Sequence, residues 1–172
     1  MTEPGRPAAD EYADYYGRYI DRVPERPVLE TLERQIQDTM TLLRAVPEPR
    51  GNHRYAPEKW SLKEVLGHVT DVERIFSTRA LHFAREEKQS LPGMDQDQYV
   101  TAAGFDRRSL AGILDELEAV RRASLALFAG FDEAAWLNRG VASGYKFTAR
   151  TIPWILAGHE LHHVAVLQER YL

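Results

Sequence analysis

The chain has 172 residues, of which 44% are hydrophobic and 28% charged, with a formal net charge of −4 and no cysteine. This length and composition predict one globular domain and exclude a disordered or fibrous chain. Because the chain has no cysteine, it cannot itself supply a disulfide, a thiolate metal site or a cysteine nucleophile, which is compatible with the reducing cytoplasm.

The sequence also lacks the features of several partner classes. Its start has no basic segment followed by an apolar one, so we expect no secretory signal. Uncharged stretches such as Thr151 to His159 are far shorter than the roughly 18 residues of a membrane span. Arginine pairs such as Arg107-Arg108 are scattered, which leaves no basic patch for nucleic acid. We therefore expect a cytoplasmic protein without a membrane or nucleic-acid partner.

Residues 1–27 predict an irregular N-terminal arm, because they are rich in Pro, Gly, Asp and Tyr. One short helix is expected around Asp10 to Tyr19. Four of its tyrosines would share one helical face, and packing against the domain or a partner subunit is favoured over ligand binding. These are Tyr12, Tyr15, Tyr16 and Tyr19.

Residues 28–172 predict a domain of four substantial helices. The first follows Pro27 and carries an apolar stripe. The second opens with the capping box Ser61-Leu62-Lys63-Glu64. The third starts at Ser109 and stops at Gly130. The predicted spans are Val28 to about Val46, Ser61 to about Phe83 or Ala84, Ser109 to Gly130, and Thr151 to the end of the chain.

The segments between these helices carry weaker signals. A long polar connection passes through Leu91-Pro92-Gly93, and Gly144 to Phe147 is expected to form a short extended piece. No strand pattern compares in strength with the helical ones. The sequence therefore predicts an all-α fold, a four-helix bundle with a short N-terminal extension.

Two histidines on the last helix are the most informative feature. His159 and His163 lie one turn apart and continue the apolar stripe that should face the core. A lone buried histidine is usually a hydrogen-bonded core residue, but burying two unpaired imidazoles side by side costs several kcal/mol unless something such as a metal takes their lone pairs. His68, at the edge of the apolar stripe of the second helix, is the best third ligand. His68, His159 and His163 together predict an open metal site with room for water or substrate.

The segment His159-Glu160-Leu161-His162-His163 also reads as the zincin motif, with Glu160 as general base. Only nine residues follow His163 and none is a histidine, so the usual downstream third ligand is missing. Glu160 is therefore interpreted as a solvated carboxylate or one that supports a ligand, and His162 as packing or support. His53 and His82 are interpreted as ordinary loop and surface histidines.

The chain from about Val28 onward resembles the DinB-like superfamily, including its YfiT-like metal-dependent hydrolases. The resemblance is carried by Lys59-Trp60-Ser61-Leu62-Lys63-Glu64-Val65-Leu66-Gly67-His68-Val69 with Asp71 and Glu73, by Leu91-Pro92-Gly93 and Asp95-Gln96-Asp97, and by Gly158 to His163. It implies a four-helix bundle, often dimeric, whose three histidines bind a divalent metal, matched here by His68, His159 and His163.

The resemblance implies two kinds of chemistry. Some relatives are transferases or isomerases that use a bacterial low-molecular-weight thiol, and others are described as hydrolases or as DNA-damage-inducible proteins. The expected cofactor is zinc or nickel, with iron or manganese as alternatives, and a thiol would come as cosubstrate. Asp71 and Glu160 are the carboxylates available for proton transfer or orientation. Arg74 and Arg150 could bind an anionic substrate group, although a solvated charge is the stronger interpretation of both.

Three hypotheses follow. The first is a metal-dependent enzyme that transfers a small thiol or hydrolyses a small molecule. The second is a non-catalytic, stress-related metal-binding bundle. The third is a homodimeric interaction module in which the histidines merely cluster.

Overall fold

The structure is a computed structural model that describes residues 2–172. Four long helices dominate this part of the chain, and they are joined by short helices and one hairpin. The helices are α1 (Gly17–Ile20), α2 (Val28–Leu43), α3 (Leu62–Ala84), α4 (Gln96–Ala103), α5 (Leu110–Ala129), α6 (Glu133–Leu137) and α7 (Thr151–Arg170), and the strands are β1 (Arg139–Ala142) and β2 (Tyr145–Thr148). The predicted all-α four-helix bundle is confirmed.

The four long helices are α2, α3, α5 and α7. Helix α3 packs mainly against α5 and α7, and α2 packs against the same two helices. The order around the bundle is therefore α2, α5, α3, α7, which places α2 and α3 diagonally although they follow each other in the sequence. This arrangement lets α3 and α7 share a long interface, where the predicted histidines lie.

Serine side chains cap the starts of α3 and α5. The hydroxyl of Ser61 accepts from the backbone N–H of Glu64 at 3.1 Å, and the Glu64 carboxylate accepts from the backbone N–H of Ser61 at 2.8 Å. The predicted capping box of α3 is thus confirmed, and it satisfies two N–H groups that the helix would leave unpaired. The hydroxyl of Ser109 caps α5 in a similar way, because it accepts from the backbone N–H of Gly112 at 3.1 Å.

Two short helices and the full hairpin were not predicted. The polar connection after α3 contains α4, which the Asp95 carboxylate caps by accepting from the backbone N–H groups of residues 97 and 98. Asp132 caps α6 in the same way. Both helices are short and bury few apolar residues, so their hydrophobic periodicity is weak. The extended piece at 144–147 is one half of the hairpin β1–β2, whose register pairs Arg139 with Thr148.

The N-terminal arm covers the first half of α7. Its predicted short helix is broken into 3₁₀ turns at Ala9–Glu11 and Asp14–Tyr16 followed by α1. Glu11 is buried and ion-pairs with Arg150, and the Trp154 indole donates to the Pro4 carbonyl at 3.3 Å. Residues 151–160 of α7 are accordingly buried on all sides, which a bundle of four helices alone would not achieve. In residues 2–172, no helix has the length and apolar character of a membrane span.

The bundle core has two apolar clusters with a polar layer between them. The buried apolar residues of α3 from Val72 onward belong to the first cluster, and those up to Val69 belong to the second. On α7, the residues up to Ala157 belong to the first cluster and Leu167 to the second. The intervening level on α7, residues 159–163, is where the histidines and a buried charge network lie.

The charge network is centred on Arg121 of α5, which is fully buried. Its Nε and Nη2 donate to the two oxygens of Glu73 on α3, both at 2.7 Å. Its Nη2 also lies 2.9 Å from an oxygen of Glu160 on α7, and its Nη1 donates to the Leu32 carbonyl of α2 at 2.9 Å. One guanidinium therefore joins all four long helices.

Candidate metal centre

Three histidines from two helices converge at the polar layer. His159 and His163 lie one turn apart on α7, and His68 faces them from α3. The Nε2 atom of His159 lies 3.2 Å from that of His68 and 3.1 Å from that of His163. One nitrogen from each ring lies within 4.8 Å of the other two, and in residues 2–172 no second group of three metal-ligand side chains is this close.

Burial keeps these imidazoles neutral. It lowers the pKa of His68 to about 4 and that of His163 to about 3, with the neighbouring histidines adding to the shift at His163. Burial also lowers the pKa of His159 well below its ordinary value, and repulsion from protonated His163 and His68 lowers it further. A neutral imidazole nitrogen is the form that binds a metal.

The contacts among the three Nε2 atoms fit a metal better than hydrogen bonding. A neutral imidazole has one N–H and one lone pair, so Nε2 of His159 can either donate or accept, and it faces two partners at hydrogen-bond distance. One proton or one lone pair cannot serve both contacts well. A cation shared by the three lone pairs would satisfy all of them, and three nitrogen ligands with an open side match the catalytic type of site.

Aromatic rings hold the imidazoles in place. The Trp60 ring lies 4.9 Å from that of His68, and the Tyr19 ring lies 5.3 Å from that of His159 in an edge-on arrangement. Trp60 comes from the segment before α3, and Tyr19 comes from α1 in the N-terminal arm. The arm therefore forms one wall of the site.

A cavity of about 300 Å³ opens beside His68 and His159. Polar and apolar atoms share its walls about equally, which suits a small organic molecule with polar groups. Its lining consists of Tyr15, Tyr16, Tyr19, His68, Val72, Phe76, Arg79, Met94, Gln96, Ser143, Ile155 and His159. His163 lies on the far side of the cluster, in a second hollow with Trp60, Lys59 and Gln96.

The structure does not bring the two predicted carboxylates to the histidine nitrogens. Glu160 is only 2% exposed, which excludes the solvated alternative and leaves that of a carboxylate that supports a ligand. Its carboxylate accepts from the Thr39 hydroxyl at 2.7 Å and ion-pairs with Arg121 at 2.9 Å, which does not leave it free as a zincin-type base. Asp71 is half-buried beside Arg74, with its pKa raised mainly by burial, and it lines a different hollow near Tyr99.

The other histidines lie outside the cluster. His162 is half-buried with its ring 5.7 Å from that of Tyr19, which agrees with packing at the edge of the site. His53 packs its ring 6.2 Å from that of Tyr171, and His82 lies in the last turn of α3.

Sequence reasoning missed several residues of the cavity. Packing is favoured over ligand binding for the arm tyrosines by sequence, yet Tyr15, Tyr16 and Tyr19 also line the cavity. Arg79 was not singled out, although its i+11 spacing from His68 puts both on one face of α3 and could have signalled it. Arg74 is exposed and paired with Glu116, and Arg150 is half-buried and paired with Glu11, so only Arg74 fits the interpretation of a solvated charge.

Comparisons with known proteins agree with this fold. Residues 31–167 match the model of the DinB superfamily. YfiT from Bacillus subtilis, described as a probable metal-dependent hydrolase with an unusual four-helix bundle topology, has a similar structure with a TM-score of 0.72 at 15% identity, covering 96% of this chain and 90% of that one. A mycothiol-dependent maleylpyruvate isomerase has a TM-score of 0.67 at 13% identity, covering 84% of this chain and 61% of that one.

These identities are low, so the structural likenesses bear on the fold alone. No curated protein sequence matches the chain. The family model, however, spans most of the chain, from α2 to the last turns of α7. The chain therefore belongs to the DinB superfamily.

Proposed function

We propose that the protein is a metal-dependent enzyme that binds a divalent cation through His68, His159 and His163 and acts on a small molecule in the adjacent cavity. The observation that carries the proposal is the convergence of three neutral imidazole nitrogens within 4.8 Å of one another at the edge of a cavity. A cation bound there would lower the pKa of a bound water or thiol, or polarise a substrate oxygen. Zinc or nickel is the proposed metal, with iron or manganese as alternatives.

The chain's own residues have separate roles in this proposal. The three imidazoles hold the cation, and the rings of Trp60 and Tyr19 fix two of them and exclude water from that side. Glu160 is a positioning residue, because its contacts with Arg121 and Thr39 fix the turn of α7 between the two histidine ligands. Asp71 lies away from the cavity lining, so any part that it takes in proton transfer requires a substrate that reaches its hollow.

Two reactions suit this site. In the first, a low-molecular-weight bacterial thiol is the cosubstrate and its sulfur attacks an electrophile. The structural likeness to a mycothiol-dependent isomerase supports this version, and the absence of cysteine means that the thiol must come from outside the chain. In the second, water attacks an ester or amide, and the likeness to YfiT supports it. The alternative is a non-catalytic, stress-related metal-binding bundle or a dimeric interaction module.

Metal analysis tests the binding part of the proposal. Protein purified without a histidine tag and supplied with zinc or nickel is expected to hold one ion per chain. His159→Ala should abolish binding because it removes the central nitrogen of the cluster, whereas His82→Ala is the matched control and should not. Equal metal content in the two variants would refute the three-histidine site.

Turnover tests the catalytic part. The metal-loaded protein is incubated with bacterial thiols plus electrophiles, and separately with simple esters and amides. Turnover that needs the thiol identifies the transferase, and turnover without it identifies the hydrolase. No turnover in either panel with metal bound would favour the non-catalytic alternative.

Membership of the DinB superfamily also supports a homodimer. We propose a dimer in a reducing cytoplasm, where a thiol cosubstrate stays reduced. Light scattering of the purified protein should give twice the mass of the chain, and a mass of one chain would contradict the dimer.

A further inference from the structure

Arg79 is a buried arginine without a carboxylate partner. It lies on α3, it is 4% exposed, and it lines the cavity that holds His68 and His159. Throughout residues 2–172, no Asp or Glu oxygen lies within 4 Å of its guanidinium nitrogens. Buried charges in proteins are normally paired, so this one needs an explanation.

Two neutral acceptors hold one end of the guanidinium. Its Nη2 donates to the Pro92 carbonyl at 3.0 Å and to the Ser143 hydroxyl at 3.1 Å. Ser143 is in the tight turn between β1 and β2 and has a φ of 55°, which residues other than Gly, Asn and Asp seldom adopt. The Tyr16 hydroxyl also bonds the guanidinium, which lies over the Phe76 ring, 4.7 Å from its centroid. All of these partners are uncharged, so the guanidinium is fixed in place without an anion.

The nearest titratable side chain does not compensate the charge. Burial raises the pKa of the Tyr16 phenol, and the pull of the Arg79 guanidinium in the opposite direction does not cancel this effect. Tyr16 is therefore an uncharged phenol at neutral pH. It can share a hydrogen bond with an anion bound at Arg79, but it supplies no negative charge itself.

The position of Arg79 in the cavity sets the shape of a ligand. Residues 68 and 79 are three helical turns apart on the same face of α3, which is about 16 Å of helix rise. The Arg79 side chain points back toward His68 and lies over the Phe76 ring, so the gap between the guanidinium and the histidines is shorter than that rise. Between them the wall is apolar, with Val72 and Phe76 on α3 and Ile155 on α7. A ligand that reaches from the histidines to Arg79 is therefore elongated, with an apolar middle.

We propose that Arg79, with Ser143 and Tyr16, forms a subsite for the carboxylate of an elongated organic acid whose reacting group lies at the other end of the cavity, at the histidine cluster. The last clause rests on the proposed function, whereas the anion subsite does not. An arginine that is fixed by uncharged acceptors and has no carboxylate partner in residues 2–172 is well suited to bind one, because charge-assisted hydrogen bonds are stronger than neutral ones.

A matched pair of probes tests the subsite. 4-Phenylbutyrate has a carboxylate on an apolar body, and 4-phenylbutyramide has the same shape without the charge. Calorimetric titration of the full chain should show that Arg79→Met weakens the carboxylate by about 10- to 100-fold and leaves the amide unchanged. Arg74→Met is the control, because that arginine is exposed and already paired with Glu116 at 2.6 Å. Equal affinity of wild type and Arg79→Met for the carboxylate, or no binding to wild type at millimolar concentration, would overturn the proposal.

A second measurement does not depend on the variant folding. In the wild-type protein, the NMR signal of the Arg79 Nε–H should shift on adding the carboxylate and not on adding the amide. An unchanged signal at saturating carboxylate would overturn the proposal.

The His159→Ala variant separates this proposal from the metal site. Carboxylate binding that persists in His159→Ala and still depends on Arg79 supports the subsite even if the metal proposal fails. Binding that is lost in His159→Ala and retained in Arg79→Met would mean that the carboxylate binds a metal, and it would refute the subsite.

Discussion

Arg121→Met should strongly destabilise the fold, because it removes the centre of the buried charge network. Methionine can fill much of the space of the arginine stem, but it removes the only cation between Glu73 and Glu160 that the structure shows in residues 2–172. Burial alone would lower the pKa of Arg121, but the two carboxylates outweigh it and raise that pKa. The guanidinium is therefore charged, and its loss leaves two carboxylates in a place that is 1% to 2% exposed.

The size of the effect follows from that burial. Removing one partner of a buried ion pair costs about 3–5 kcal/mol, because no water solvates the charge that remains. Here two carboxylates lose their partner and the Leu32 carbonyl loses a donor, so we expect the upper part of that range. Since a domain is typically stable by about 5–15 kcal/mol, the variant should keep at most part of its folding free energy.

Urea unfolding followed by circular dichroism at 222 nm measures the change. Arg121→Met should lower the free energy of unfolding by about 4–5 kcal/mol and the melting temperature by about 10–20 °C. Arg74→Met, which breaks an exposed ion pair with Glu116, is the control and should cost under about 1 kcal/mol. If Arg121→Met changed stability no more than the control does, the charge network would not hold the four helices together as inferred here.

Two further predictions concern the arm and α7. Although burial alone would raise the pKa of Glu11, hydrogen bonds from Arg150 and Thr148 lower it to about 2, below the 4.5 of the unfolded chain. The stability that ionised Glu11 contributes is therefore complete above about pH 4.5 and is lost as the pH falls toward 2. The melting temperatures of wild type and Glu11→Gln should accordingly converge between about pH 4.5 and about pH 2. A difference in melting temperature that stays constant over this range would contradict the ion pair. In Gly158→Ala the new Cβ would overlap the Tyr19 carbonyl, so we expect urea unfolding to show a cost of about 1–3 kcal/mol. Unchanged stability would mean that α1 does not approach α7 this closely.

Much of the bundle and of the histidine cluster could be predicted from local sequence. The long helices have strong 3.6-residue periodicity, and Ser61 with Glu64 gave the start of α3 to the residue. His159 and His163 were placed on one face by their spacing alone, because four residues make about one helical turn. His68 was chosen because it borders the apolar stripe of α3, and its ring does lie against those of the other two.

The rest of the site depends on contacts between distant segments. Thr39 and Arg121 contact Glu160 from helices that lie far away in sequence, so nothing near Glu160 could signal that it is buried and paired. The cavity walls combine the arm, α3, the hairpin turn and α7, and Arg79 becomes significant only because no carboxylate packs against it. Helix α4 was missed because Val100 is its only buried residue, which is too little for a periodic pattern.

The diagonal placement of α2 and α3 explains why the charge network and the histidines occur together. Helix α7 lies between α2 and α3, so at one level its residues must face both. His159 and His163 face α3, where His68 lies, while Glu160 is turned by one residue toward Thr39 of α2 and Arg121 of α5. The Nε2 atom of His159 cannot hydrogen-bond well to both neighbouring imidazoles at once. The contacts of Glu160 with Arg121 and Thr39 fix the turn of α7 that carries His159 and His163. The buried charges thus fix the helix orientation that brings the three histidine nitrogens within 4.8 Å of one another.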